Sequence, residues 1–554
     1  MDHPETEVIE QGEETSIHLG RIVPVYPLAE GLSQRWLRSL IWHALAQTAA
    51  LVTEPWPGLV EAGYLSRRDA LEQVHYPAEL AEGEAGRRRL ALDEFIALQV
   101  PLQRRRRNLQ LHARGRPCAG DNHLIRPLLA HLGFTLTEAQ TRVLREIRRD
   151  LAGPHPMRRL LQGDVGSGKT IVAACATLMT LESGFDVALM APTEIVAEQH
   201  ERSFVHWFSP LGVAVVLRTG SRITTTAPRA ESGRAASDWR RPPAAGAKTP
   251  PALFLGTHAL LEPGFAPDNL GLVIIDEQHK FGVAQREELV RKGAYPHLLV
   301  MTATPIPRTL GLTLYGDLEV SVIDALPAGR GRVRTFVRTA ASLPRVWAFV
   351  GAQLGAGRQA YVVYPRLEEG DAATGLKAVK EEFGRVQASL APHRVGLVHG
   401  QQAAAEKEQV MADFRANRLQ ALVATSVIEV GVDVPNATVM VVENAEVFGL
   451  AQLHQLRGRI GRGSQEAYCI LVAAARTAKA RQRLQVLERI HDGFAIAEAD
   501  LALRGPGELL GQAQSGLPSF RFVDLVRDLD LIDAARDQAA RIVATAESPG
   551  VAPA

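Results

Sequence analysis

From about residue 125 the chain alternates short apolar runs with stretches of helical period. Each run is short enough to be a strand buried on both faces. RLLQ (159–162), DVALMAP (186–192), ALFLGT (252–257), LVIID (272–276) and HLLVMTAT (297–304) form one series. AYVVYP (360–365), VGLVHG (395–400), ALVAT (421–425), TVMVVEN (438–444) and AYCILV (467–472) form a second. Strands separated by helix-length segments make parallel sheets, so the pattern predicts an α/β protein with two tandem doubly wound lobes. The connection between them falls near LPAGRGRVRT (326–335).

The flanks read differently. Residues 1–30 are irregular, and 31–124 are helical in period. Ser33 stands ready to cap a helix in which Leu37, Leu40, Ile41 and Ala44 share one face. A second helix over 87–107 ends in four consecutive arginines. A solvated helix end, with charge favourable near the C-terminus, explains that run better than a phosphate-contacting patch does. The first lobe then occupies 125–325 and the second 326–475. Within the first, 221–250 is rich in Ala, Pro, Ser and Arg without an apolar period, which predicts a flexible surface insertion. Residues 476–554 are helical in pattern, with a disordered end, AESPGVAPA.

Composition narrows the class only a little. Of 554 residues, 46% are hydrophobic and 22% charged, the balance of a folded soluble chain of several domains. No apolar run is long enough to span a bilayer, and the acidic first residues resemble no targeting peptide. The three cysteines, Cys118, Cys175 and Cys469, are far apart, which argues against disulfides or zinc and fits a cytoplasmic protein. A net charge of +1 leaves a polyanionic partner open, since gripping phosphates needs only local Lys and Arg.

GDVGSGKT at 163–170 has the spacing of a phosphate loop, and it lies between an apolar run and a helix-compatible stretch. Gly163, Gly166 and Gly168, with Ser167, let backbone N–H groups wrap phosphates at a helix N-terminus. Lys169 is expected to reach the β- and γ-phosphates, and the Thr170 hydroxyl to ligate Mg2+. LVIIDEQH presents Asp276 and Glu277 at a strand end, Asp276 for the Mg2+ shell and Glu277 to deprotonate the attacking water. Thr137 and Gln140 carry two readings: a capping box, or recognition of the adenine edge by the Gln140 amide, which is modestly preferred. In QLHQLRGRIGRG (452–463), Arg459 and Arg462 are expected on one helix face as an arginine finger, with the glycines arguing against a merely solvated helix. If one lobe binds ATP and the other supplies that finger, ATP closes a cleft and hydrolysis opens it, and a bound strand is gripped at alternating positions.

Together GSGKT, APTE (191–194), DEQH, TAT (302–304), TSVIEVGVDVP (425–435) and QLRGRIGR resemble the superfamily 2 helicases over about 125–470. The resemblance implies RecA-like lobes, with Pro192, Thr193, Thr219, Gly220, Thr257, His258 and Thr425 along a nucleic-acid track. It also implies that His279, Thr302 and Thr304 couple the two sites, with Gly431 and Asp433 near the nucleotide.

GTHALLE, MTATPIPRTLGLTLYGDLEVSVID and DGFAIAEADLALRGPGELLGQAQSG (492–516) are similar to the RecG family in particular. That likeness runs from about residue 15 to 543 and makes 476–554 a translocation hairpin and helical tail. Arg483, Arg504 and Gln514 would be its coupling residues. It implies ATP-dependent action on forks and Holliday junctions, in the bacterial cytoplasm near the nucleoid. The partners would be duplex and branched DNA and single-stranded-DNA-binding protein, and the chain a monomer. The family's wedge domain, an OB-fold, is expected to be represented only by a remnant in 1–30, so junction remodelling should be weak. Ser426 replaces the usual Thr, and 221–250 a short helix. Two alternatives remain: a duplex translocase of the transcription-repair-coupling type, and a non-catalytic DNA-binding fragment.

Overall fold

A computed structural model of the chain describes residues 17–18, 20–220, 222–226, 250–267, 269–277, 283–293, 295–303, 318–327, 331–365, 372–400, 402–425, 434–474, 478–504, 520–524 and 527–546. It divides into two compact units, one of Leu109–Arg308 with Leu318–Leu503, the other including Met1–Asn108 and Arg504–Ala554.

The first of these units holds two sheets. β1 (Arg158–Gly163), β2 (Asp186–Met190), β3 (Ala214–Arg218), β4 (Ile223–Thr226), β5 (Ala252–Gly256), β6 (Leu270–Asp276), β7 (His297–Thr302) and β8 (Glu319–Ile323) make the first, in the order β4-β3-β5-β2-β6-β7-β1-β8. All its pairings are parallel except β3 with β4. β9 (Val333–Arg338), β10 (Gln359–Tyr364), β11 (Val395–Val398), β12 (Ala421–Thr425), β13 (Ala437–Val442) and β14 (Ala467–Val472) make the second, wholly parallel, in the order β11-β12-β10-β13-β14-β9. The α/β class with two doubly wound sheets is therefore as the periodicity predicts.

Each of the ten apolar runs contains a strand. The strands that periodicity passed over are β3 and the sheet-edge strands β4, β8 and β9. An edge strand is covered less completely, so its sequence alternates instead of running apolar; β8 and β9 bury only some of their residues. β4 also corrects the expectation of a flexible insertion beginning at 221. Ile223–Thr226 is a β-branched run that pairs antiparallel with β3, and 227–249 lie outside the described residues.

Packing explains why the helix after β1 is so apolar. Lys169–Glu182 is buried continuously from Ile171 to Leu181, and its Thr177 and Thr180 hydroxyls donate back to Ala173 and Ala176 carbonyls. In the second sheet Tyr361, Val363, Leu422 and Met440 face one apolar layer. Their neighbours Ala360, Val362, Val423 and Val439 face the other. Cys118, Cys175 and Cys469 are buried and unpaired.

In the other unit, Ser33 accepts a hydrogen bond from Trp36 N at the start of helix Gln34–Thr48. The second predicted helix is longer than expected, Leu80–His112, with Pro101 inside it. The four arginines therefore do not end it, which corrects the helix-end explanation of that run. Arg87 forms a bidentate pair with Asp528 at 2.8 and 2.7 Å and donates to the Phe522 carbonyl at 2.7 Å. Glu94 accepts from the backbone N–H groups of Arg521, Phe522 and Val523. The Asp528 side chain is fully buried. Arg87→Ala should therefore cost about 3 kcal/mol, because it leaves a buried carboxylate short of its main partner. Urea unfolding of the full chain checks this; an unchanged midpoint would contradict it. Among the described residues no helix is long and apolar enough to cross a membrane.

Candidate active site

The phosphate loop is the turn between β1 and the helix Lys169–Glu182. Gly166 and Gly168 have φ of +79° and +86°, a region that favours glycine. A Cβ on Gly163 would lie 2.5 Å from the Ser167 hydroxyl oxygen, and one on Gly168 would lie 2.2 Å from Gln140 Nε2. Lys169 Nζ donates to the carbonyls of Gly163 (2.8 Å) and Asp164 (3.0 Å). Burial lowers its pKa, against the opposing pull of Glu277 and Asp276. Thr170 is the second residue of the helix.

Gln140 does both a local and a longer-range job. Its Oε1 accepts from Thr137 N at 2.8 Å while Thr137 Oγ1 accepts from Gln140 N, which closes the capping box. Its Nε2 donates to the Ser167 carbonyl at 2.9 Å. The amide thus ties the helix Glu138–Leu151 to the phosphate loop.

Asp276 is the last residue of β6. His200 Nε2, on the helix Glu194–Phe208, lies 2.7 Å from Asp276 Oδ2. Burial would raise this carboxyl, but the His200 hydrogen bond and nearby Lys169 hold it below the usual range. Glu277 goes the other way. Burial first, then the Asp276 charge, push it up to about 7. Its φ is +52°, a sparsely populated conformation for a residue with a side chain, and its Oε2 faces Ala303 N at 3.4 Å. His200 was missed from the sequence. A signal was present: Val196, Ala197, His200, Phe204 and Phe208 form one buried helix stripe, and a histidine there needs a polar partner.

Arg459 and Arg462 do not share a helix face. The helix Leu450–Arg457 stops before them, Gly458 caps it, and Gly461 has φ +69°. The glycines have a packing reason instead. A Cβ on Gly458 would lie 2.6 Å from Val165 Cβ of the phosphate loop. This close approach brings the segment after the helix to the first lobe's site. There Arg462 acts to lower Lys169, and Arg459 to lower Glu277.

The remaining sequence-predicted residues follow the sheet order. Thr219 and Gly220 follow β3, Thr257 and His258 follow β5, and Pro192 and Thr193 follow β2. The phosphate loop follows β1, while Asp276 ends β6 and Thr302 ends β7. One sheet edge therefore carries two neighbouring groups, the first on β3-β5-β2 and the second on β6-β7-β1. Thr193 caps its helix by accepting from Val196 N, and Thr219 closes a turn with Arg222. Thr425 ends β12 in the second sheet. Arg483 donates to the carbonyls of Glu446 and Phe448, and Arg504 ends the helix Gly493–Arg504. His279, Thr304, Gly431, Asp433 and Gln514 lie outside the described residues.

Three segments of the chain match known protein families. Residues 137–312 match the DEAD/DEAH box helicase family and 353–464 the helicase conserved C-terminal domain. Residues 490–552 match the C-terminal part of domain 3 of the ATP-dependent DNA helicase RecG. The ATP-dependent DNA helicase RecG of Acidithiobacillus ferridurans is 46% identical, over 96% of this chain and 76% of its own length. The chain belongs to the RecG family. Another member, from Synechocystis, is 46% identical over 97% of this chain, which spans 64% of that relative's length. A solved structure of RecG bound to a three-way DNA junction superposes with a TM-score of 0.71 at 41% identity. It covers 93% of this chain and 66% of its own.

Proposed function

We propose that this RecG-family chain hydrolyses ATP to move on duplex DNA and acts on branched DNA. The observation that carries the ATPase part is the meeting of Lys169, Asp276 and Glu277 in one lobe with Arg459 and Arg462 from the other. Branched DNA as substrate is supported by the relative solved on a three-way junction. The RecG-type match over 490–552 favours this over the coupling-type translocase.

In this mechanism Lys169 leaves the Gly163 and Asp164 carbonyls and binds phosphate oxygens. Glu277, whose raised pKa suits a base near neutral pH, orients a water and takes its proton as the oxygen attacks the γ-phosphorus. The bond to the β-phosphate oxygen breaks, giving ADP and phosphate. Arg459 and Arg462 stabilise the charge that develops. Thr170 and the ionised Asp276 are hard oxygen donors beside the phosphate loop, a set that fits Mg2+. The ion, when bound, would neutralise charge on the phosphate oxygens. Residues on the β3-β5-β2 half of the same edge would contact the DNA backbone.

ATPase assays with and without duplex DNA, alongside unwinding of a three-way junction, test this. The parent chain should show DNA-stimulated hydrolysis, and Lys169→Ala should lose it. A parent without DNA-stimulated ATPase sinks the proposal.

A further inference from the structure

His454 and Arg457, on the helix Leu450–Arg457, are buried, and their hydrogen bonds form a chain between the lobes. His454 Nε2 lies 2.5 Å from Asp164 Oδ1 in the phosphate loop, and Nδ1 lies 2.9 Å from Arg457 Nη2. A guanidinium only donates, so Nδ1 must accept; Nε2 then carries the proton and donates to Asp164. The ring is neutral with one tautomer, between a carboxylate and a guanidinium.

Arg457 gives its other hydrogen bonds to the carbonyls of Leu487 (2.8 Å), Ile490 (3.0 Å) and His491 (3.0 Å). These carbonyls lie at the C-terminal end of the helix Ala478–Arg489 and in the turn that follows it, where a helix leaves acceptors without partners of its own. The next helix, Gly493–Arg504, starts against the same pair. A Cβ on Gly493 would lie 2.7 Å from His454 Nε2 and 3.1 Å from Asp164 Cγ. At the other end, the Asp164 carbonyl holds Lys169 Nζ at 3.0 Å.

We propose that Asp164, His454 and Arg457 are positioning residues that transmit the state of the phosphate loop to the helix pair Ala478–Arg489 and Gly493–Arg504. This rests on the function proposed above. Lys169 Nζ holds the Asp164 carbonyl, so turning it toward a phosphate changes its hold on the peptide that carries the Asp164 carboxylate. His454 bonds through both nitrogens in fixed roles, so a shift at Asp164 is passed to Arg457 and to the turn between the two helices. A contact that is either made or broken gives the two arrangements that coupling requires.

The test compares base pairs translocated per ATP, by triplex displacement, with ATPase on the same duplex. His454→Asn can still accept from Arg457 but is too short to reach Asp164. It should lower base pairs moved per ATP about tenfold, while ATPase without DNA and KM for ATP stay within about twofold. Asp164→Asn keeps an acceptor for Nε2–H and should retain coupling within about twofold. Gly493→Ala reaches the pair from the helix side without removing a hydrogen-bonding group and should uncouple as His454→Asn does. Equal losses of ATPase and translocation, or normal coupling in both His454→Asn and Gly493→Ala, would overturn the transmission. A parent with no DNA-stimulated ATPase would overturn the proposed function as well, which separates the two failures.

Discussion

Glu277→Gln is expected to cut DNA-stimulated kcat for ATP hydrolysis by about 10²- to 10⁴-fold, the usual contribution of a positioned general base. The amide nearly matches the carboxylate in shape and can still accept from Ala303 N, so KM for ATP should change little. The pH dependence makes the test sharper. Burial and the adjacent Asp276 charge hold Glu277 at about 7, and only the deprotonated form takes the proton from water. In the parent, kcat/KM should therefore fall about tenfold per pH unit below about 7 and level off above it. The variant should lose this acid limb. If Glu277→Gln keeps both the rate and the limb, another group is the base.

Arg462→Ala should lower DNA-stimulated kcat by about 10³-fold or more, the range for a residue that stabilises charge on a transferring phosphoryl group. Binding of a fluorescent ATP analogue should stay within a few-fold, because the larger effect is in the transition state. Arg462→Lys should recover little, since an ammonium lacks the planar fork of donors. Arg459→Ala, acting beside Glu277, should show the same split of kcat from KM. A loss confined to KM for either arginine would mean ground-state binding and would sink the arginine-finger role.

The glycine-rich loop at 163–170 was legible because its pattern is local. A turn that wraps phosphates needs glycines and a lysine within a few consecutive residues, and Gly166 and Gly168 do adopt positive φ. The DE pair was legible because an apolar strand led directly to it. The helix expected to display Arg459 and Arg462 was not. Periodicity could not show that Gly458 ends that helix so that Val165, far away in sequence, can pack there. The same holds for Gln140, where the capping box is local but the bond to the Ser167 carbonyl is not.

By itself, then, the sequence determined the two parallel-sheet lobes, the glycine-rich loop, the acidic pair and the family. All of these rest on hydrophobic period or on residues a few positions apart. The tertiary structure decided which distant groups meet. It put His200 on Asp276 across 76 positions and His454 on Asp164 across 290, and it opposed the pKa shifts of Asp276 and Glu277. Such pairings depend on strand order and on which helix stripe is buried, and no short window of residues encodes either.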